Sequence, residues 1–117
     1  MVDADKRIRA VFYRTGRQNQ PVREWLKGLD RENRRLIGED IKTVEFGWPV
    51  GMPVCRPIAS HKGLREVRSS LPGNRIARVL FCITDDQMVL LHGFIKKNRK
   101  TPKSDLDLAT RRMKEVI

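Results

Sequence analysis

Six side chains in the second half of the chain have the types and spacing to hold an anion and move a proton. Arg65 and Arg68 share one strand-like run, Arg78 interrupts the next, and His92, Lys96 and Lys97 follow in a third. Guanidinium and ammonium groups on neighbouring segments can converge on one set of phosphate oxygens, and imidazole carries protons near neutral pH. Arg78 is the most informative, because a guanidinium inside an apolar strand is costly unless it meets an anion. That anion is either a ligand's phosphate or Glu66 across the strands. His92 sits in Leu90-Leu91-His92-Gly93-Phe94, where an imidazole is either a satisfied core group or a proton carrier. Lys96, Lys97, Arg99 and Lys100 form a basic run before Thr101-Pro102. Such runs are often only solvated, but this one ends a strand beside the other arginines, which favours phosphate contact.

The elements that must position these groups follow from periodicity. Ile8, Ala10 and Phe12 alternate with Arg7, Arg9 and Val11, the pattern of a strand with one buried face, ended by Thr15-Gly16. Pro21 suits the first position of a short helix whose Val22, Trp25, Leu26 and Leu29 make one apolar stripe, closed at Gly28-Leu29. Asp30 is a natural N-cap for a longer helix carrying Leu36, Ile37, Ile41 and Val44, with Gly38 a weak spot and Gly47 its end. From Trp48 to Pro53 and on to Pro57 the density of Pro and Gly predicts a loop. Three strands then follow, Leu64 to Ser69, Arg75 to Thr84 and Met88 to Lys96, joined by short turns at Leu71-Pro72-Gly73-Asn74 and Asp85-Asp86-Gln87. The middle one is apolar on both parities apart from Arg78, as an interior strand covered on both faces would be. Ser104 or Asp105 can cap a closing helix through Leu106, Ala109, Met113 and Val116.

The expected fold is therefore α+β in the order β-α-α-β-β-β-α. Its antiparallel sheet carries the two N-terminal helices on one face and leaves the other partly open before the C-terminal helix. A length of 117 residues suits one domain over 1–117. Strand parity puts Arg65 and Arg68 on opposite faces unless a bulge intervenes.

Charge narrows the partners. The chain has 25 basic and 14 acidic side chains, a formal +11. Between Pro21 and Phe46 the charges cancel, whereas from Arg56 to Lys103 eleven cations face only Glu66, Asp85 and Asp86. So lopsided a distribution points to a binding surface for nucleic acid, a membrane surface or an acidic protein. Within it Arg56, Lys62, Arg65, Arg75, Arg99, Lys100 and Lys103 are the expected phosphate contacts around Arg68, Arg78, His92, Lys96 and Lys97. No apolar run approaches the roughly 20 residues of a membrane span, and Asp3, Asp5, Lys6 and Arg7 argue against a secretory leader, so a cytoplasmic protein that engages no membrane is expected. With His61 the only other histidine and no Cys-x-x-Cys spacing between Cys55 and Cys82, neither a metal, a cofactor nor a disulfide is expected.

The combination Gly63-Leu64-Arg65-Glu66-Val67-Arg68, Arg78-Val79-Leu80-Phe81, Val89 to Lys97 and Lys100-Thr101-Pro102-Lys103 resembles the HigB-like, phage-related branch of the RelE/ParE toxin superfamily of bacterial type II toxin–antitoxin modules. The likeness runs from the first strand to the last helix with its Ala109 and Arg112. It implies a RelE-like fold and a toxin that enters the ribosomal A site and cuts messenger RNA. It also implies an antitoxin partner with a helix-turn-helix domain. The positions matching the residues that surround the scissile phosphate in that family are Arg68, Arg78, Lys96 and Lys97. Some relatives use a tyrosine near the C-terminus in catalysis, whereas the one tyrosine here is Tyr13, in the first strand.

Metal-independent RNA cleavage needs a base for the 2′-hydroxyl proton, cations for the charge on the pentavalent phosphate and an acid for the leaving 5′-oxygen. The basic half has no paired carboxylates, so the base is His92 or a lysine whose like-charged neighbours favour its neutral form. Arg68 and Arg78 would stabilise the phosphorane, and a ribosome could orient the message. Two other readings stay open. A ParE-like toxin would act on DNA gyrase without cutting RNA, and a non-enzymatic nucleic-acid-binding module would need stacking aromatics. Only 6% of the chain is aromatic, and Phe12, Phe46, Phe81 and both tryptophans fall where a core needs them.

Overall fold

In the computed structural model, which describes residues 5–96 and 101–117, five strands form one sheet in the order β1-β5-β4-β3-β2. The elements are β1 (Arg9–Phe12), α1 (Pro21–Lys27), α2 (Arg31–Gly47), β2 (Cys55–Pro57), β3 (Arg65–Leu71), β4 (Arg75–Thr84), β5 (Gln87–Lys96) and α3 (Lys103–Val116). The fold is α+β as expected, with two differences in the sheet. A strand, β2, lies inside the segment expected to be loop. It pairs antiparallel with β3 at the end of the strand order, and an edge strand tolerates a residue such as Pro57 that has no N–H to donate. The second difference is that β1 joins β5 in parallel, while every other pairing is antiparallel.

Local chemistry accounts for the boundaries. Pro21 opens α1, and Asp30 caps α2 by accepting a 2.8 Å bond from the Asn33 backbone N–H. Asp85 and Asp86 both hold positive φ and close a two-residue turn between Thr84 and Gln87, the geometry that matches strand twist. The helix α3 starts earlier than its expected caps. Pro102 occupies the N-cap, so Ser104 and Asp105 fall in the first turn and Asp105 is released for another partner.

The sheet buries both faces, as the two apolar parities of β4 require. Val22, Ile37, Ile41 and Val44 from α1 and α2 pack with Val67, Ala77, Val79, Phe81, Met88 and Leu90 on one side. On the other, Ala109 and Met113 of α3 pack with Leu80, Cys82, Val89, Leu91 and Phe94. Burying a side chain of this size contributes about 1.5–3 kcal/mol, so both layers are needed to hold β4 in the centre. Cys55 and Cys82 are free and buried, and burial pushes the Cys82 thiol up to about 11, leaving it inert. No helix among the described residues is long and apolar enough to cross a membrane.

Candidate active site

One irregularity in β5 decides what the α3 face can do. Phe81 pairs with Leu90 but Leu80 pairs with His92, so Leu91 is an extra residue, a β-bulge. Strict alternation from Leu90 would send His92 into the α1–α2 core. The bulge turns it to the opposite face, level with Leu80, Glu66 and Arg56 in one row across β5, β4, β3 and β2. There His92 Nε2 lies 2.6 Å from Asp105 Oδ1 of α3, and its ring stacks on Phe94 with centroids 5.5 Å apart. If Nε2 carries the proton that Asp105 accepts, Nδ1 is the nitrogen with a lone pair.

Beside this pair lies a network centred on Glu66, which has no exposed surface. Its carboxylate accepts from Arg56 Nε at 2.7 Å, Arg78 at 3.0 Å and Thr101 Oγ1 at 3.0 Å, and Arg68 Nε stands 4.0 Å away. Three guanidiniums thus gather around one carboxylate, leaving the cluster of four side chains two charges positive. A buried carboxylate is tolerated only when so fully bonded.

Of the residues expected at the site, Arg56, Arg68, Arg78, His92 and Lys96 share this face by register. They are not equivalent. Arg56 and Arg68 keep 35% and 23% of their side-chain surface exposed, whereas Arg78 has none. In this arrangement Arg78 meets Glu66, the second of the two anions open to it, and reaches no solvent through which a phosphate could approach. Arg65 lies on the other face, its guanidinium 4.9 Å over the Trp48 ring, in keeping with uninterrupted strand parity. Arg75 also leaves the group, bonding Pro72 O at 3.0 Å and reaching toward Asn33 of α2. Lys62 is exposed in the loop before β3, and Lys103 pairs with Asp107 one turn along α3. Lys97, Arg99 and Lys100 lie outside the described residues.

The segment 24–114 matches the family model described as Phage derived protein Gp49-like (DUF891). The chain belongs to this family. Gp49-like proteins are a RelE/toxin-like family associated with toxin–antitoxin toxins, so the likeness seen in the sequence holds at that level. No curated protein matches the chain.

Three residues gathered at the candidate site escaped sequence reasoning. Asp105 passed for a helix cap, although an acidic residue thirteen positions after a histidine carries no recognisable spacing. Glu66 counted only as a possible partner of Arg78, not as the centre of three donors with Arg68 nearby. Trp25 passed for core, yet it is only partly buried and lines a cavity beside His92 with Gly93, Leu108 and Arg112. Tyr13, far from the C-terminus in sequence, meets the C-terminal helix in space. Its hydroxyl donates to Glu115 at 2.8 Å and its ring lies under the Arg112 guanidinium. Burial, and next the bond to Glu115, raise the Tyr13 hydroxyl above its ordinary 10.0, so it stays a neutral donor. Burial also lowers the affinity of Arg112 for its proton.

Proposed function

We propose that this Gp49-like protein is the toxin of a type II toxin–antitoxin module and cuts messenger RNA on the ribosome, acting in the cytoplasm as one domain over 1–117. The observation that carries the reading is the bulge at Leu91, which sets His92 and its carboxylate partner in one row with Arg56 and Glu66. Proton transfer and anion binding are the two capabilities that RNA cleavage combines.

In this mechanism His92 Nδ1 takes the proton of the 2′-hydroxyl while Asp105 holds the ring and offsets the charge it gains. The 2′-oxygen bonds to phosphorus, the bond to the 5′-oxygen breaks, and a 2′,3′-cyclic phosphate remains. Arg56 and Arg68 offset the added negative charge of the phosphorane. Arg78 acts one step back, by fixing Glu66 and through it Arg56. The leaving 5′-oxygen takes its proton from an ammonium group, that of Lys96 at the end of β5 or that of Lys97, the next residue in sequence. The ribosome orients the message, worth a large entropic factor for a site with so few groups. An antitoxin with a helix-turn-helix domain would hold the basic surface inactive.

The test is primer-extension mapping of a message on programmed ribosomes with the purified protein. New 5′ ends that disappear with His92→Gln are expected. Intact messages and unimpaired translation would refute the reading, and intact messages with inhibited DNA supercoiling would replace it by gyrase inhibition.

A further inference from the structure

We propose that the cavity between α1 and α3 is a nucleobase subsite in which a base next to the scissile phosphate stacks on Trp25. This deepens the reading above and rests on it. The cavity, about 240 Å³, opens because β1 follows β5 only as far as the Phe12 and Leu90 pair, leaving the β5 edge from Leu91 onward to be flanked by helices. His92 lines it and also stands in the row that leads across the sheet to Glu66 and Arg56, so a nucleotide whose 2′-hydroxyl meets His92 has its base beside this space.

The walls have the chemistry of base recognition. Trp25 presents a flat aromatic surface that is only partly buried. Its ring is pinned, because it packs directly on the backbone of Gly93, where a Cβ would lie 2.5 Å from Trp25 Cε3. Arg112 is equally fixed, donating to Leu91 O at 2.8 Å with its guanidinium 5.3 Å over the Tyr13 ring, and its remaining N–H groups can serve the acceptor edge of a base. Among the described residues that line the cavity there is no carboxylate. Stacking on an aromatic side chain tolerates any base, since each has a π face, and a fixed ring loses little freedom on binding.

The experiment uses the message position mapped for the wild type and compares it with the same RNA made abasic on either side of the cut. Removing the stacked base should slow the wild type by about 10- to 100-fold at one of the two positions. Trp25→Ala should lose a similar factor on the intact message and lose nothing further on the abasic one, while Trp25→Phe retains most of the rate. If Trp25→Ala folds poorly, Trp25→Phe and the abasic message with wild-type protein still decide the matter. Equal cleavage of abasic and intact messages by the wild type would overturn the subsite. So would full-rate cleavage by folded Trp25→Ala, including the case in which that variant instead loses its hold on a co-expressed antitoxin. A wild type that cuts no message would overturn the nuclease reading itself, and the subsite with it.

Discussion

Arg78→Met separates the two roles a buried arginine could have. Methionine keeps much of the length and drops the charge, so Glu66 loses its 3.0 Å partner but keeps Arg56 at 2.7 Å and Thr101 at 3.0 Å. Removing one member of a buried ion pair commonly costs about 3–5 kcal/mol, because the other charge is left uncompensated. Here the remaining pair, with Arg56 about one-third exposed, reduces that to about 2–3 kcal/mol. Glu66→Leu is the harsher change. It takes the shared carboxylate from three guanidiniums at once, and the full 3–5 kcal/mol or so is expected. At about 3–5 °C per kcal/mol for a chain of this length, the melting temperature should fall by about 6–15 °C for Arg78→Met and about 9–25 °C for Glu66→Leu. The double variant should recover part of the loss, since apolar side chains can replace a buried pair at little cost, though Arg56 and Arg68 would still lack their anion. Circular-dichroism melts of all four proteins, paired with message cleavage, form the assay. An Arg78→Met protein that melts within about 2 °C of wild type yet cuts no message would refute the structural role and return Arg78 to direct chemistry.

Four further outcomes are expected. With a single tyrosine in the chain, ultraviolet titration reads Tyr13 alone, and its midpoint should lie above 10.0 and fall in Glu115→Gln. Because the folded value is raised, the stability linked to the neutral phenol is complete below about pH 10 and disappears as pH climbs through the folded value; a midpoint at or below 10.0 in folded protein contradicts this. Gly93→Ala drives a methyl into the Trp25 ring and should cost about 1–3 kcal/mol with altered tryptophan fluorescence, whereas an unchanged melt would mean the ring is not packed there. Asp105→Asn should lower cleavage about 10²-fold or more and change its pH profile while the melt stays near wild type; a full rate across pH would reduce the contact with His92 to a structural one. Ribosome or RNA binding should weaken with salt by about 0.7 in log K per log salt for each phosphate contact, hence a slope near −2 from Arg56, Arg68 and Lys96 alone, and a flat response would point to an uncharged partner surface.

Most of the fold was legible because periodicity and turn chemistry are local. The stripe Leu36, Ile37, Ile41 and Val44, the cap at Asp30 and the double-Asp turn each state their conformation within a few residues. The strand β2 was not legible. Three residues ending at a proline have no pattern of their own, and they form a strand only because β3 offers a free edge. The parallel pairing of β1 was equally hidden, since it depends on where two helices return the chain rather than on anything in Arg9–Phe12.

The candidate site divides along the same line, and the division explains why charge alone could not identify its working parts. The arginines announced themselves by type, but their roles follow from depth. Arg78, the least expected cation in an apolar strand, is spent on Glu66, while Arg56, unremarkable in a supposed loop, stands at the surface of the same network. His92 is the sharper case. Every alternation rule sends it to the helical core, and a bulge of one residue turns it to the face where Asp105 can reach it. Bulges exchange a small loss of ladder bonding for a re-aimed side chain, and here Arg112 limits that loss by donating to the carbonyl of Leu91. The same displacement brings Gly93 under Trp25, so the placement of His92 and the aromatic wall of the neighbouring cavity have a common origin. A change that removed the bulge, by deleting Leu91 for instance, should therefore abolish both together, which no single side-chain substitution at either place can do.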